Sequence, residues 1–218
     1  MTQVRSSALD AMLATGVVAV VRVDEPDGLV RLAEALHDGD VVHTEITMTV
    51  PGALAAIEAT VREHGDEVFV GAGTVRDATA ARLAISAGAS FIVSPCLNLE
   101  VVEMAHRYRV MVAPGCLTPT EIDQACAAGA DVIKLFPGRV ATPGYFKDVL
   151  GPFPGVRLMP TGNVNLETAP EYIKAGAIGI GVGKALVDAA ALREGRWSDI
   201  TANAQRFRTV VDEARASR

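Results

Sequence analysis

The chain has 218 residues, of which 50% are hydrophobic, 5% aromatic and 21% charged. Residues 1–218 are expected to form one domain, and this apolar and charged content excludes a disordered chain. A formal net charge of −6 excludes generic nucleic-acid binding, which needs a basic face, so an anionic substrate would depend on a local site.

The opening segment MTQVRSSALDAML reads as an amphipathic helix without the apolar core of a signal peptide. Eight strand-like runs follow: VVAVVRV (17–23), VVHTEIT (41–47), EVFVGAG (67–73), SFIVSP (90–95), VMVAPG (110–115), DVIKLF (131–136), VRLMP (156–160) and AIGIGVG (177–183). Ala/Leu-rich helical stretches separate them, and a final pair of helices is expected to begin near Ala185 and Trp197. The runs show little polar alternation, as strands buried on both faces of a parallel sheet do. Eight such units with short connections predict an α/β fold, a closed (β/α)8 TIM barrel with an N-terminal helix.

Glycines are expected at helix C-caps at Gly39, Gly65, Gly88, Gly129 and Gly176. Three of these share the phrase Ala-Gly-Ala just before the next strand, an internal repeat of the βα unit. The longest apolar runs, such as Val17 to Val21, are too short to span a membrane. Three cysteines (Cys96, Cys116, Cys126) form no CxxC pair, which predicts a reduced, cytoplasmic protein.

In a barrel the chemistry gathers where strands end at their C-termini. The residues closing the runs are Arg22, Glu45, Thr74, Pro95, Pro114-Gly115, Lys134, Thr161-Gly162 and the Gly181/Gly183 pair. Two of them, Glu45 and Lys134, are costly to place among apolar neighbours. The chain has four lysines, and Lys147, Lys174 and Lys184 fall on helices or at a helix start. Strand alternation puts Lys134 on one face with Val132 and Phe136, pointing either into the barrel or out against the helices. A lysine amine held away from water becomes nucleophilic near neutral pH; the plainer role is a structural lysine paired with an acid. Glu45 suits either a buried counter-charge or the acid/base that an imine mechanism needs. His43 has the same parity but sits deeper, as a core residue.

The glycine-rich segments PTGN (160–163) and GVGK (181–184) close the seventh and eighth runs, where barrels commonly bind phosphate on exposed amides. No HxxxH, HExxH or GxSxG spacing occurs, so the chemistry is expected to need no metal.

GAGTV (71–75), SP (94–95), PGC followed by TPTE (114–121), IKLFP (133–137) and PTGN (160–163) occur in order and in register. Together they closely resemble the 2-keto-3-deoxy-6-phosphogluconate aldolase / 4-hydroxy-2-oxoglutarate aldolase family, from about Val17 to Val187. The resemblance implies a class I aldolase, a homotrimer without metal or organic cofactor, acting on a small keto acid or sugar-acid phosphate. It implies Lys134 as the Schiff-base lysine and Glu45 as the acid/base. Thr74, Pro95, Phe136 and Thr161 would line the keto-acid end of the pocket. Gly162, Gly181, Gly183 and Lys184, at the start of the following helix, would face the phosphate.

Three positions depart from the family pattern. Thr49 stands where many gluconate-type members carry an arginine for the substrate carboxylate, which shifts that task to Arg22, Thr74 or backbone amides. Gly162-Asn163 replaces a familiar Gly-Gly, and Lys184 replaces a common serine. Thr161 favours the gluconate-type sugar acid over the galactonate-type. The competing expectations are the same chemistry on 4-hydroxy-2-oxoglutarate or 2-keto-3-deoxy-6-phosphogalactonate, a phosphate-binding barrel with other chemistry, and a non-catalytic barrel.

Overall fold

The computed structural model describes residues 3–218. Helix α1 (Gln3–Thr15) comes first, then β1 (Val17–Val21), α2 (Leu29–His37), β2 (His43–Thr47), α3 (Ala53–His64), β3 (Phe69–Gly73), α4 (Ala78–Ser86), β4 (Phe91–Val93) and α5 (Leu99–Arg107). The second half holds β5 (Met111–Ala113), β6 (Gly115–Cys116), α6 (Pro119–Ala127), β7 (Ile133–Leu135), α7 (Pro143–Leu150), β8 (Leu158–Pro160), α8 (Ala169–Lys174), β9 (Ile180–Val182), α9 (Ala189–Arg193) and α10 (Trp197–Ala216). Every strand-like run contains a strand, trimmed at its ends. The fifth run is divided at Pro114, which has no N–H to give to a ladder.

The strands form two parallel sheets, in the orders β5-β4-β3-β2-β1-β9 and β6-β7-β8. A parallel bridge joins Thr161, just beyond β8, to Gly181 in β9. On the other side the Lys134 N–H donates to the Pro114 carbonyl between β5 and β6 at 3.0 Å.

Two apolar clusters flank the strands. The larger lies between strands and helices and takes Val17, Ala19 and Val21 of β1, Ile46 of β2 and Ile133 and Leu135 of β7. The smaller takes Val18, Phe91, Val93, Met111, Ala113, Val132 and Met159, so residues of both sheets meet in it, with Ala8 and Met12 of α1 beneath them. Alternate residues along a strand point to opposite faces. Val132 belongs to the inner cluster, so Lys134 points inward too. That settles its direction.

His43 belongs to this floor, as expected of a deeper layer. Its Nε2–H donates to the Ala8 carbonyl at 2.8 Å, and its ring stacks on Phe69 with centroids 4.9 Å apart. Burial lowers its pKa from 6.5 to about 4, so the ring is neutral at physiological pH.

The Ala-Gly-Ala phrases close their helices alike. In each the glycine has positive φ (Gly88 100°, Gly129 81°, Gly176 112°). The following alanine donates five residues back: Ala89 to Ala84, Ala130 to Ala125 and Ala177 to Tyr172, each at 3.0 Å. Gly39 departs from the expected pattern. The left-handed residue there is Asp40 (φ 64°), whereas Gly39 is needed because a side chain on it would meet the Thr201 carbonyl of α10 at 2.7 Å. The penultimate helix begins at Ala189 and not near Ala185, because Asp188 caps it by accepting the N–H groups of Ala190 and Ala191. Among the described residues no helix is long and apolar enough to cross a membrane.

Candidate active site

The inward residues of β2 are His43, Glu45 and Thr47; those at the end of β7 are Lys134 and Phe136. The parallel register places Val20, Glu45 and Gly71 side by side, and Gly115, Lys134 and Met159 side by side. Glu45 and Lys134 thus stand one layer above the apolar floor, on strands of different sheets. Lys134 Nζ lies 3.8 Å from Glu45 Oε1, with the side chains 7% and 1% exposed. That separation is an ion pair but too long for a hydrogen bond. Both Glu45 oxygens are buried and, among the described residues, have no hydrogen-bond partner. The carboxylate is held against the amine without being tied to it, free to take a proton from a third group. Lys134 Nζ also sits 5.6 Å from the centre of the Phe136 ring, within cation–π range.

Room for the acid comes from Gly73 on β3. A Cβ there would overlap Glu45 Oε1 and crowd its Cγ at 2.6 Å. The glycine of GAGT is therefore a packing requirement of the site. Thr74, next along, has φ 57°, a conformation that is a genuine outlier for a β-branched residue and is held only by its surroundings. Arg22 Nη2 donates to the Thr74 hydroxyl at 3.1 Å, and the Val75 N–H donates to Val93 O at 3.1 Å. Arg22 is exposed at the end of β1, so its guanidinium is available beside the hydroxyl.

Thr47 follows Glu45 on the same face, is fully buried and hydrogen-bonds the Thr49 hydroxyl at 2.9 Å. Thr49 is exposed and turned back onto the strand end. Thr47 and Gly73 were not named as site residues from the sequence; strand parity with Glu45 could have found the first, whereas the GAGTV motif contains the second without showing what its glycine does.

Just beyond β8, Thr161 is 5% exposed and its hydroxyl has no partner among the described residues; a side chain at Gly181 on β9 would overlap that hydroxyl. Gly162 (φ 90°) and Asn163 (φ 60°) make a tight left-handed turn. The Gly138 N–H donates to Thr161 O at 2.8 Å, seating the segment after Phe136 against this turn. The peptide between Phe136 and Pro137 is cis. Pro95 closes β4 beside Gly115, whose Cβ would meet Cys96 N at 2.8 Å.

Lys184 needs a correction. It does not start a helix; it lies exposed on a turn in which Leu186 and Val187 both donate to Gly183 O, at 2.9 and 3.0 Å. The N-terminus of α9 is already filled by the Asp188 carboxylate. Among the described residues Lys184 makes no hydrogen bond or ion pair, and none ties it to Thr161 or Gly162. Among the same residues no group of three or more His, Cys, Asp or Glu could hold a metal ion.

A buried amine beside a buried carboxylate is an arrangement that can form and break an imine and move a proton next to it. Comparison with known proteins points the same way. The family model "KDPG and KHG aldolase" matches residues 9–203. The chain is 32% identical to the 2-dehydro-3-deoxy-phosphogluconate aldolase of Treponema pallidum over 93% of this chain and 96% of that one. It is 31% identical to the 2-dehydro-3-deoxy-6-phosphogalactonate aldolase of Escherichia coli, over 89% and 95%. The crystal structure of KDPG aldolase from Legionella pneumophila, with pyruvate captured as a covalent carbinolamine, superposes with a TM-score of 0.85 at 27% identity, covering 91% of this chain and 97% of that one.

Proposed function

The chain belongs to the KDPG and KHG aldolase family, and from that premise we propose that it is a class I aldolase cleaving 2-keto-3-deoxy-6-phosphogluconate to pyruvate and glyceraldehyde 3-phosphate. The observation that carries this is the buried Lys134–Glu45 pair, 3.8 Å apart, with neither carboxylate oxygen hydrogen-bonded among the described residues.

Lys134 Nζ attacks the C2 ketone to give a carbinolamine, and loss of water leaves a cationic imine. Glu45 takes the proton of the C4 hydroxyl, the C3–C4 bond breaks, and its electron pair passes through C3 to the imine nitrogen. Glyceraldehyde 3-phosphate leaves. The proton held by Glu45 returns to C3 of the enamine, and water hydrolyses the imine to pyruvate and free Lys134. Neutralising the iminium nitrogen drives the bond cleavage, so the reading needs no metal or organic cofactor.

Arg22 and Thr74 would hold the substrate carboxylate, a task their mutual hydrogen bond supports; Thr49, already bonded to Thr47, would at most narrow that end. Pro95 and Phe136 would wall the pyruvyl group, and the Thr161 hydroxyl would meet a substrate hydroxyl, which favours the gluconate-type sugar acid. Amides at Gly162, Gly183 and the turn that carries Lys184 would face the phosphate, with Gly181 keeping the approach open. The same chemistry on 2-keto-3-deoxy-6-phosphogalactonate is the second reading, because a relative of that name is 31% identical.

We also read the two sheets as one closed (β/α)8 barrel, supported by the Thr161–Gly181 bridge and the Lys134–Pro114 bond at the two seams. One core cluster reaching from Val17 to Ala214 supports a single domain. A homotrimer is what the family resemblance implies, and a cytoplasmic location is what the three cysteines without a CxxC pair support; ultracentrifugation and fractionation check them.

The test is to incubate the protein with pyruvate, add borohydride and locate the adduct by mass spectrometry. The expected site is Lys134; labelling of Lys147 or Lys174 instead, or none, overturns the mechanism. Glu45→Gln should still trap the imine while kcat drops by about 100-fold or more, the scale of a lost general acid/base.

A further inference from the structure

The Gly183–Val187 turn is held from behind by a residue distant from it in sequence. Asn203, on α10, points its Nδ2 at two successive carbonyls of that turn, Ala185 O at 2.8 Å and Leu186 O at 2.9 Å. Both partners are carbonyls and can only accept, so the amide nitrogen and not its oxygen must face them.

The platform behind Asn203 is itself fixed. Two residues earlier, Thr201 donates its hydroxyl to Ala35 O of α2 at 2.8 Å. One residue later, Ala204 is fully buried against Gly39, in contact so close that any side chain at 39 would overlap it. Contacts from Thr201, Asn203 and Ala204 therefore lock this stretch of α10 to the rest of the fold.

In a helical turn the carbonyls point one way along the axis and the amides the other. Here Gly183 O accepts from Leu186 and Val187, so the axis runs onward from the end of β9. Pinning the carbonyls of residues 185 and 186 onto α10 leaves the amides of residues 184 and 185 at the opposite end of the turn, the end that follows β9. We propose that Asn203 is a positioning residue for recognition of the substrate's phosphate, acting through the Gly183–Val187 turn and touching no substrate itself. This role rests on the phosphate reading proposed above, and it adds a specificity determinant that lies outside every strand end.

The test compares Asn203→Ala and Asn203→Asp with the unaltered enzyme on 2-keto-3-deoxy-6-phosphogluconate and on 4-hydroxy-2-oxoglutarate, which carries no phosphate. Asp has the shape of Asn but turns a carboxylate oxygen toward two carbonyls. Loss of two hydrogen bonds should raise KM for the phosphorylated substrate, and Ki for inorganic phosphate, by about tenfold, more for Asp than for Ala. The value of kcat, the KM for 4-hydroxy-2-oxoglutarate and borohydride trapping of pyruvate should stay as they were. Equal KM changes on both substrates, or none, would overturn the role of Asn203. If the unaltered enzyme gains nothing from the phosphate, the phosphate reading fails and this role fails with it, whereas failure of the Asn203 variants alone leaves the aldolase reading standing.

Discussion

At the scale of single residues, the site depends on where bulk is missing as much as on where charge is present. Lys134 and Glu45 are the residues proposed to carry the chemistry, but Glu45 occupies its position only because residue 73 has no side chain. Gly73→Ala should therefore displace the carboxylate without removing it. The expected result is a kcat lowered by about 100-fold, with imine formation from pyruvate still trappable by borohydride. Stability should fall by only about 1–3 kcal/mol, the usual cost of overpacking. An unchanged kcat would show that Glu45 has no need of that space. Lys134 and Glu45 stood out in the sequence because charges are rarely placed at the ends of apolar runs. Gly73 did not, since a glycine beside a strand end looks the same whether it serves a turn or a neighbour's side chain. The left-handed Thr74, tied to Arg22, is a second feature of this kind.

At the scale of elements, the helix ends are built on one plan, and sequence shows only part of it. The Ala-Gly-Ala phrases announced three of these endings. Two more use the same bonds around non-glycine residues: Val41 donates to Leu36 past Asp40, and Val110 donates to Ala105 past Arg109, with Asp40 and Arg109 at φ 64° and 58°. Nothing in sequence marks an arginine as left-handed; the backbone takes that shape because the chain must reverse to enter β5. The strain is lower where glycine is used. Gly176→Ala should cost about 1–2 kcal/mol in urea denaturation, since it combines φ 112° with overlap on Leu150. Turnover should be unaffected, because the position lies at the opposite ends of the strands from Lys134. Element starts were also only partly legible: Asp188 as an N-cap fixed α9 four residues beyond the expected point.

At the scale of the whole molecule, α1 and the strands share a floor, and His43 couples that floor to pH. Its folded pKa of about 4 lies below the ordinary 6.5. Between those values the unfolded chain binds the extra proton, so stability rises with pH through that window and is lost as pH falls from 6.5 toward 4. The ring should account for about 2 kcal/mol of lost stability between pH 7 and pH 5. His43→Gln, which keeps a donor for Ala8 O but does not titrate, should flatten that part of the pH dependence in urea denaturation. An unchanged slope would mean that other groups set the acid sensitivity.

The sequence by itself determined the order of strands and helices, the parallel character of the sheets, the family and the two buried charges proposed to carry the chemistry. These follow from local periodicity and from rare charges within apolar runs, and both can be read along the chain. Only the tertiary structure decided that Lys134 faces inward, that Gly73 makes room for Glu45, that Lys184 lies on a turn and that Asn203 supports it. Those are contacts between residues tens of positions apart or choices between two faces of one strand. Periodicity leaves such choices degenerate until the elements pack.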